Sequence, residues 1–253
     1  MLLRRVIQHV RMQEWTAIAI DFVIVVVGVF IGIQAANWNE ARADQARARG
    51  YLERIHNDLE ADVANYQNRI RFWGAVSNYG RTGLAYADTK LLRERTHWDL
   101  LLAYFQASQV AEFWTNSTTY EELKSAGELY LIADLNLRNA LARYYTNTGN
   151  PALTERPAYR EHVRGVIPID VQLYIWTKCY GSNAVGDQFL RNCPPPITES
   201  AAANLVNAIS SDQALMAELR YWMSTMQVAS QIGRDSMTLA RQNLAAVEAE
   251  LDN

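Results

Sequence analysis

The chain has 253 residues, of which 49% are hydrophobic and 20% are charged, as in an ordinary globular protein. Acidic residues outnumber basic residues by 27 to 24, so the net charge of −3 gives no electrostatic reason to expect a nucleic-acid partner. Prolines are scarce, while Ala, Leu, Glu, Gln and Arg are common, and this composition favours helices. We therefore expect an all-α protein.

Residues 1–14 are predicted to form an amphipathic segment on the cytoplasmic face of a membrane. Aliphatic side chains provide its apolar side, and its arginines can contact anionic lipid headgroups. These arginines, Arg4, Arg5 and Arg11, all precede the first acidic residue, Glu14.

The apolar run of residues 16–36 is the strongest signal in the chain, and it contains a single ionisable residue, Asp21. About 20 apolar residues at about 1.5 Å each cross a hydrocarbon layer of roughly 30 Å. Trp15 and Trp38 flank the run, as expected of anchors in the two membrane interfaces. We predict a transmembrane helix over residues 15–38. The alternative is a cleaved signal peptide, but the run is long for one and no clean cleavage site follows it.

The charges beside this helix predict its orientation. The preceding flank is basic, whereas the following flank mixes acids with arginines. The positive-inside rule then places the N-terminus in the cytoplasm and residues 39–253 on the far side, which in a bacterium is the periplasm.

Gly28 and Gly32 form a G-x-x-x-G pair inside the predicted span, and Asp21 falls on roughly the same helix face. Small residues let a second helix approach closely, and a carboxyl group in lipid needs a partner. This face predicts a contact with another membrane helix. Alternatively, the glycines occur there by chance and Asp21 reaches the headgroups near Trp15.

Two long amphipathic stripes follow the span, and no proline interrupts either of them. The first runs from Trp38 to about Val76 and can continue the transmembrane helix without a break. The second runs from Leu215 to Leu251, with Ser211 or Asp212 as its N-cap. We predict that the two long helices pack antiparallel and form the basis of a helical bundle.

Shorter helices are predicted between the two stripes. Thr96 with Asp99, and Thr118 with Glu121, resemble capping boxes, and Gly127 is expected to end the helix that Thr118 opens. Further helices are expected near residues 135–146, 156–165, 169–178 and 199–209. Residues 180–197 are expected to form an irregular loop.

Cys179 and Cys193 are the only cysteines, and their spacing fits a local disulfide but no standard zinc motif. A disulfide requires an oxidising compartment, and the alternative is two reduced, half-buried thiols.

No catalytic signature occurs in the chain, and none of its four histidines is spaced from another as a metal-ligand pair. We predict no enzymatic activity, no cofactor and no metal. The clustered tyrosines and tryptophans can line a ligand pocket, although at helical spacing such residues more often belong to the core.

The stretch RRVIQHVRMQEWTAIAIDFVIVVVGVFIGIQAANWNEAR resembles a family of uncharacterised bacterial membrane proteins. The segments YLERIHNDLEAD and YEELKSAGELYLI are similar to the same family, and together these matches cover at most a third of the chain. The resemblance implies a single-pass protein of the bacterial inner membrane and brings no activity or catalytic residue.

Three functions are compatible with this sequence. The leading hypothesis is a membrane-anchored periplasmic scaffold or accessory subunit that docks to itself or to another integral membrane protein. The second is a periplasmic ligand-binding or sensing module with an aromatic-lined pocket. The third, a hydrolase without a recognisable motif, would need a nucleophile and a base brought together in a cleft.

Overall fold

The structure is a computed structural model, and it describes residues 15–113, 115–147, 156–184 and 186–252. The predicted amphipathic segment of residues 1–14 lies outside the described residues. Within them the chain is all-α, with eight α-helices, one short 3₁₀ turn and one small β-hairpin. The predicted fold class is therefore confirmed.

The helices are α1 (Trp15–Thr89), α2 (His97–Ala107), α3 (Thr118–Ser125), α4 (Leu135–Asn147), α5 (Ala158–Val166), α6 (Ile169–Lys178), α7 (Glu199–Ser211) and α8 (Gln213–Leu251). The 3₁₀ turn is Leu129–Leu131, and the strands are β1 (Tyr180–Ser182) and β2 (Gln188–Leu190). The strands pair antiparallel, with Gly181 opposite Phe189.

Helix α1 is one continuous helix of 75 residues, or about 110 Å, and it combines the predicted span and stalk. It continues 13 residues past the predicted end at Val76, because apolar residues such as Tyr86 keep facing the core and no proline intervenes. The helix ends just before Lys90, whose φ of 55° is incompatible with a right-handed helix.

Helices α1 and α8 pack antiparallel over the whole length of α8. Near the start of the packed region the Arg49 Nη1 atom donates to the Leu251 carbonyl at 3.2 Å. At the other end Arg220 and Asp88 form an ion pair at 3.0 Å. The predicted pair of long antiparallel helices is therefore correct.

The interior divides into two hydrophobic clusters along α1. The cluster nearer the N-terminal end, here called the proximal core, contains Leu52, Ile55 and Leu59 and is closed by α3, α4 and the end of α8. The distal core contains Trp73 and Trp222 and is closed by α2, α5, α6, α7 and the start of α8. The domain thus packs against little more than the C-terminal half of α1.

Local capping explains several helix boundaries. The Thr96–Asp99 capping box is present in full, and the Asp212 carboxylate accepts from the Leu215 amide. The second predicted capping box is wrong. Thr118 already lies inside α3, whose N-cap is Ser117 without a side-chain hydrogen bond. Gly127, with φ of 72°, ends the helix as predicted.

The predicted loop of residues 180–197 is not wholly irregular, because it contains the β1–β2 hairpin. Each strand has only three residues, which is too short to give an alternating pattern in the sequence.

Candidate functional site

The N-terminal part of α1 extends away from the packed domain. Its large apolar side chains are exposed, from 47% at Val27 to 71% at Trp15. The most apolar window, in a helix segment that begins at Ile18, has a mean hydropathy of 2.5, and none of it is buried within the chain. A helix of this length and composition suggests a membrane anchor, because lipid is the environment in which such side chains are normally found.

The three residues of the predicted helix contact share one face of this anchor. At 3.6 residues per turn, Gly28 and Gly32 each lie about 20° from Asp21 around the helix axis, on opposite sides, so the three residues span an arc of about 40°. A Cβ atom built on either glycine meets no other atom within 4 Å. The same face continues past the span to Ala46 and Gly50.

This small-residue face points away from the packed domain. Leu52, Ile55 and Leu59 direct their side chains into the proximal core, and they lie about 140° to 160° around α1 from Asp21. The domain therefore packs on the side of α1 that carries Leu52, Ile55 and Leu59. The opposite face, with Asp21, Gly28 and Gly32, is open to another helix.

The predicted interface anchors Trp15 and Trp38 are 71% and 61% exposed. The Arg42 guanidinium lies 4.9 Å from the centre of the Trp38 ring, one turn farther along the helix. This cation–π contact places a positive charge beside the ring, a combination suited to the headgroup layer.

Residues 39–46, here called the bare stalk, separate the anchor from the domain. The first contacts beyond the stalk are made to Glu128, by Arg47 at 3.3 Å and by the Tyr51 hydroxyl at 2.9 Å. Nine residues of helix separate Trp38 from Arg47, so the domain begins about 14 Å beyond the tryptophan.

Cys179 and Cys193 lie within disulfide distance, with Cα atoms 5.3 Å apart, and they hold the base of the β-hairpin together. The Gln106 amide donates to the Cys179 carbonyl at 2.9 Å, and the Trp98 indole donates to the Cys193 carbonyl at 2.7 Å. A disulfide suggests an oxidising compartment.

The tip of the same hairpin is fixed to α1. The Asn68 amide donates to the Asp187 carboxylate, and Arg69 donates to Gln188 at 3.2 Å. Side chains from one turn of α1 therefore hold the segment that the disulfide closes.

A buried carboxylate, Asp62, joins three elements of the proximal core. Its side chain is fully buried. One oxygen accepts from the Asn116 backbone amide at 2.9 Å and from the Asn116 side chain at 2.7 Å, and the other accepts from the Tyr144 hydroxyl at 2.7 Å. Burial raises the pKa of Asp62 above its ordinary value, although these hydrogen bonds act in the opposite direction.

Several polar atoms of the described residues are buried without a regular hydrogen bond, namely Asp58 Oδ2, the Tyr66 and Tyr145 hydroxyls and Asn243 Oδ1. Asp58, Tyr66 and Tyr145 interact electrostatically with Asp62. The Tyr66 hydroxyl approaches Ser236 and Tyr144 without good hydrogen-bond geometry. Side-chain periodicity did not predict this cluster. The available signal was an acidic residue at position 62 within an apolar stripe, between Leu59 and Tyr66.

The described histidines each approach carboxylates. His97 Nδ1 lies 2.7 Å from Glu199, and His56 Nε2 lies 3.2 Å from Glu248. His162 lies between Asp212 at 3.4 Å and Glu218 at 3.2 Å. Among the described residues, no group of three or more His, Cys, Asp or Glu side chains is placed to hold a metal ion.

An aromatic-lined cleft of about 410 Å³ opens between α5 and α8. Its lining residues are Arg156, Pro157, Ala158, Tyr159, Ala217, Glu218, Tyr221, Trp222 and Thr225. Tyr221 is 77% exposed at the rim, whereas Tyr159 and Trp222 are buried parts of the distal core. The size and lining are those of a small-molecule pocket, although the cleft is open.

Together these features define a class of protein: an all-α domain carried on a long helix whose exposed apolar end is a candidate membrane anchor. Comparison with known proteins adds no closer assignment, since no family model, curated protein or solved structure matches the chain.

Proposed function

We propose that this protein is a membrane-anchored helical scaffold or accessory subunit that docks, through its anchor, to itself or to another integral membrane protein. One observation carries the proposal. The anchor face with Asp21, Gly28 and Gly32 is uncovered and points away from the domain that packs on the other side of α1. A partner helix can therefore approach this face without meeting the domain.

The chemistry of the face supports a helix partner. Glycines four residues apart let two helix backbones approach closely, and the carboxyl group of Asp21 gains a hydrogen-bond partner in the contact. The bare stalk extends the exposed helix by about 12 Å, so the contact can continue beyond the span toward the packed domain.

We further propose that the protein lies in a bacterial inner membrane, with its N-terminus in the cytoplasm and residues 39–253 in the periplasm. The basic flank before the span and the cysteine pair at disulfide distance support this arrangement. The resemblance of the N-terminal stretch to bacterial single-pass membrane proteins supports it as well. A reporter domain active only outside the cytoplasm, fused at the C-terminus, should be active, and a silent but intact fusion would contradict this topology.

The docking proposal is tested with the full chain purified in mild detergent. Its mass and its companions are measured by light scattering and by mass spectrometry of co-purified proteins. We expect either a multiple of 28.7 kDa or a stoichiometric membrane partner, and we expect Gly28→Leu or Asp21→Leu to abolish the assembly.

Ala19→Leu is the matched control, because Ala19 is exposed, as Gly28 is, but lies about 160° around the helix from Asp21. This variant should assemble normally. A monomer without companions, or equal loss of assembly in Ala19→Leu, would remove the docking face from the proposal.

The cleft between α5 and α8 favours a second candidate, a ligand-binding or sensing module with an aromatic pocket. In this case a small molecule should co-purify with the full chain and be lost when Tyr221, at the rim, is changed to Ala. Native mass spectrometry measures both. If the same bound small molecule is found on the natural chain and on Tyr221→Ala, the cleft is not the binding site. For either candidate we propose a non-catalytic role.

A further inference from the structure

A row of three arginines runs along α5 and the residues just before it. Arg156, Arg160 and Arg164 follow one another at intervals of four residues; Arg160 and Arg164 lie one turn apart on one side of α5, and Arg156 precedes the helix. Arg156 is largely exposed and lies 4.0 Å from Glu161. Arg160 and Arg164 are half-buried beside the C-terminal end of α2.

The two inner arginines have no acidic partner. Within the described part of the chain, neither Arg160 nor Arg164 has a carboxylate within ion-pair distance. Their partners are neutral groups of the loop after α2. Arg160 Nη1 donates to the Ser108 carbonyl at 2.8 Å, and Arg164 donates to Ser108 Oγ at 3.0 Å and to Gln109 Oε1 at 3.2 Å.

The site is rigid on its inner side. The Arg164 guanidinium lies 4.8 Å from the centre of the Phe105 ring and 5.1 Å from that of Trp176. Ser108 and Gln109, which accept its hydrogen bonds, are themselves almost completely buried. The orientation of the guanidinium is therefore set by packing, which lowers the entropy lost on binding a ligand.

These contacts leave donors unused. A guanidinium has five N–H donors, of which Arg160 uses one and Arg164 uses two within the described residues. The contact with Ser108 also places the positive charges at the negative end of the α2 dipole, a structural role that accounts for part of the arrangement. Burial, and after it the neighbouring Arg160, lower the pKa of Arg164 to about 9, so these contacts do not fully offset the burial of its charge.

From this geometry we propose that Arg160 and Arg164 form a binding site for an anionic group of the phosphate or carboxylate class. Such a group accepts hydrogen bonds from two guanidinium forks at once, and it supplies the counter-charge that the described residues do not. The exposed Arg156, just before α5, lies near enough to interact with Arg160 and can contact a second charged group on the same ligand. This site is separate from the proposed docking face.

The anion belongs to a soluble molecule rather than to the lipid around the anchor. The loop that holds both arginines is fixed by the Trp73 indole, which donates to the Ala111 carbonyl at 2.9 Å. Trp73 is 35 residues beyond Trp38, or about 50 Å along α1. A headgroup in the layer at Trp38 therefore cannot reach Arg160.

Calorimetric titration of the full chain, in uncharged detergent micelles, with inorganic phosphate tests the site. Phosphate should bind the natural chain, and R160Q/R164Q should weaken its binding by about tenfold or more, since two charge-assisted contacts are lost. The control R143Q removes an equally charged but exposed arginine of α4 and should bind as the natural chain does. R160K/R164K keeps both charges but lacks the forks, and its binding should be intermediate.

If R160Q/R164Q does not fold, the single variant R160Q, which loses only one hydrogen bond to the described residues, tests the site in its place. Circular dichroism reports whether each variant is folded. A second titration replaces phosphate by phosphatidylglycerol in the micelle and should show no difference between the natural chain and R160Q/R164Q. No phosphate binding by the natural chain, or equal binding by R160Q, R160Q/R164Q and R143Q, would overturn the site. Arginine-dependent binding of the lipid alone would overturn the soluble source.

Discussion

Gly233 of α8 lies directly against the ring of Trp73 of α1: a Cβ atom at position 233 would stand 2.8 Å from Trp73 Cζ3. The same indole donates a buried hydrogen bond to the Ala111 carbonyl at 2.9 Å, so the ring is held from both sides. This contact sets how closely the two long helices approach each other at the edge of the distal core.

We expect Gly233→Ala to destabilise the protein, by about 1–3 kcal/mol, because the added methyl group overpacks the contact with Trp73. Helix propensity alone would predict the opposite sign, a gain of up to about 1 kcal/mol. Gly74→Ala is the matched control, since a Cβ at position 74 meets no atom within 4 Å and the substitution should be neutral or stabilising. Thermal unfolding followed by circular dichroism measures both, and equal effects of the two substitutions would contradict the packing account.

The buried carboxylate of Asp62 gives a pH-dependent prediction. Its folded-state pKa is raised by burial, so its contribution to stability is complete below the unfolded-state pKa of about 4 and is lost as the pH rises through the folded-state pKa. Asp62→Asn cannot titrate. The natural chain should therefore lose stability relative to Asp62→Asn as the pH rises from about 4.

Denaturant unfolding of the two chains at several pH values measures this difference. Asp62→Leu should be the least stable of the three at every pH, because it leaves the donors of Asn116 and Tyr144 without an acceptor, at about 1–3 kcal/mol for each. A difference between the natural chain and Asp62→Asn that does not vary with pH would mean that the folded-state pKa of Asp62 is not raised.

The two capping predictions separate a real cap from a coincidence of sequence. Thr96→Ala removes the side chain that accepts from the Asp99 amide and should cost about 1 kcal/mol. Thr118→Ala should change stability little, since Thr118 is exposed and does not cap α3. Equal losses of stability in the two variants, measured by thermal unfolding, would contradict the assignment of Thr96 as a cap and of Thr118 as an uninvolved residue.

Replacing Cys179 and Cys193 by serine should lower the free energy of unfolding by about 3 kcal/mol, the value expected for a closed loop of this length. The hairpin should then become sensitive to protease at the residues between the cysteines, while the contacts of α1 with α8 persist. Reducing the natural chain should give the same cleavage pattern. Resistance of both the reduced chain and the double variant would show that hydrogen bonds, such as those of Asn68 and Arg69, hold the hairpin without the disulfide.

The sequence by itself determined the helical fold class, the apolar N-terminal helix and the antiparallel pair of long helices. Each depends on side-chain periodicity along one segment, and periodicity is a local property that a sequence displays directly. The Thr96 cap and the helix end at Gly127 were predictable for the same reason, since each involves only neighbouring residues.

Only the tertiary structure decided which polar side chains meet. Asp62, Asn116 and Tyr144 come from three separate elements, and the arginines of α5 meet the loop after α2, more than 50 residues earlier in the chain. Burial, and with it the pKa of Asp62 and the unpaired charge of Arg164, depends on how those elements pack. Periodicity shows which face of a helix turns inward. It does not show which side chains of other elements contact that face, because these contacts join residues distant in sequence.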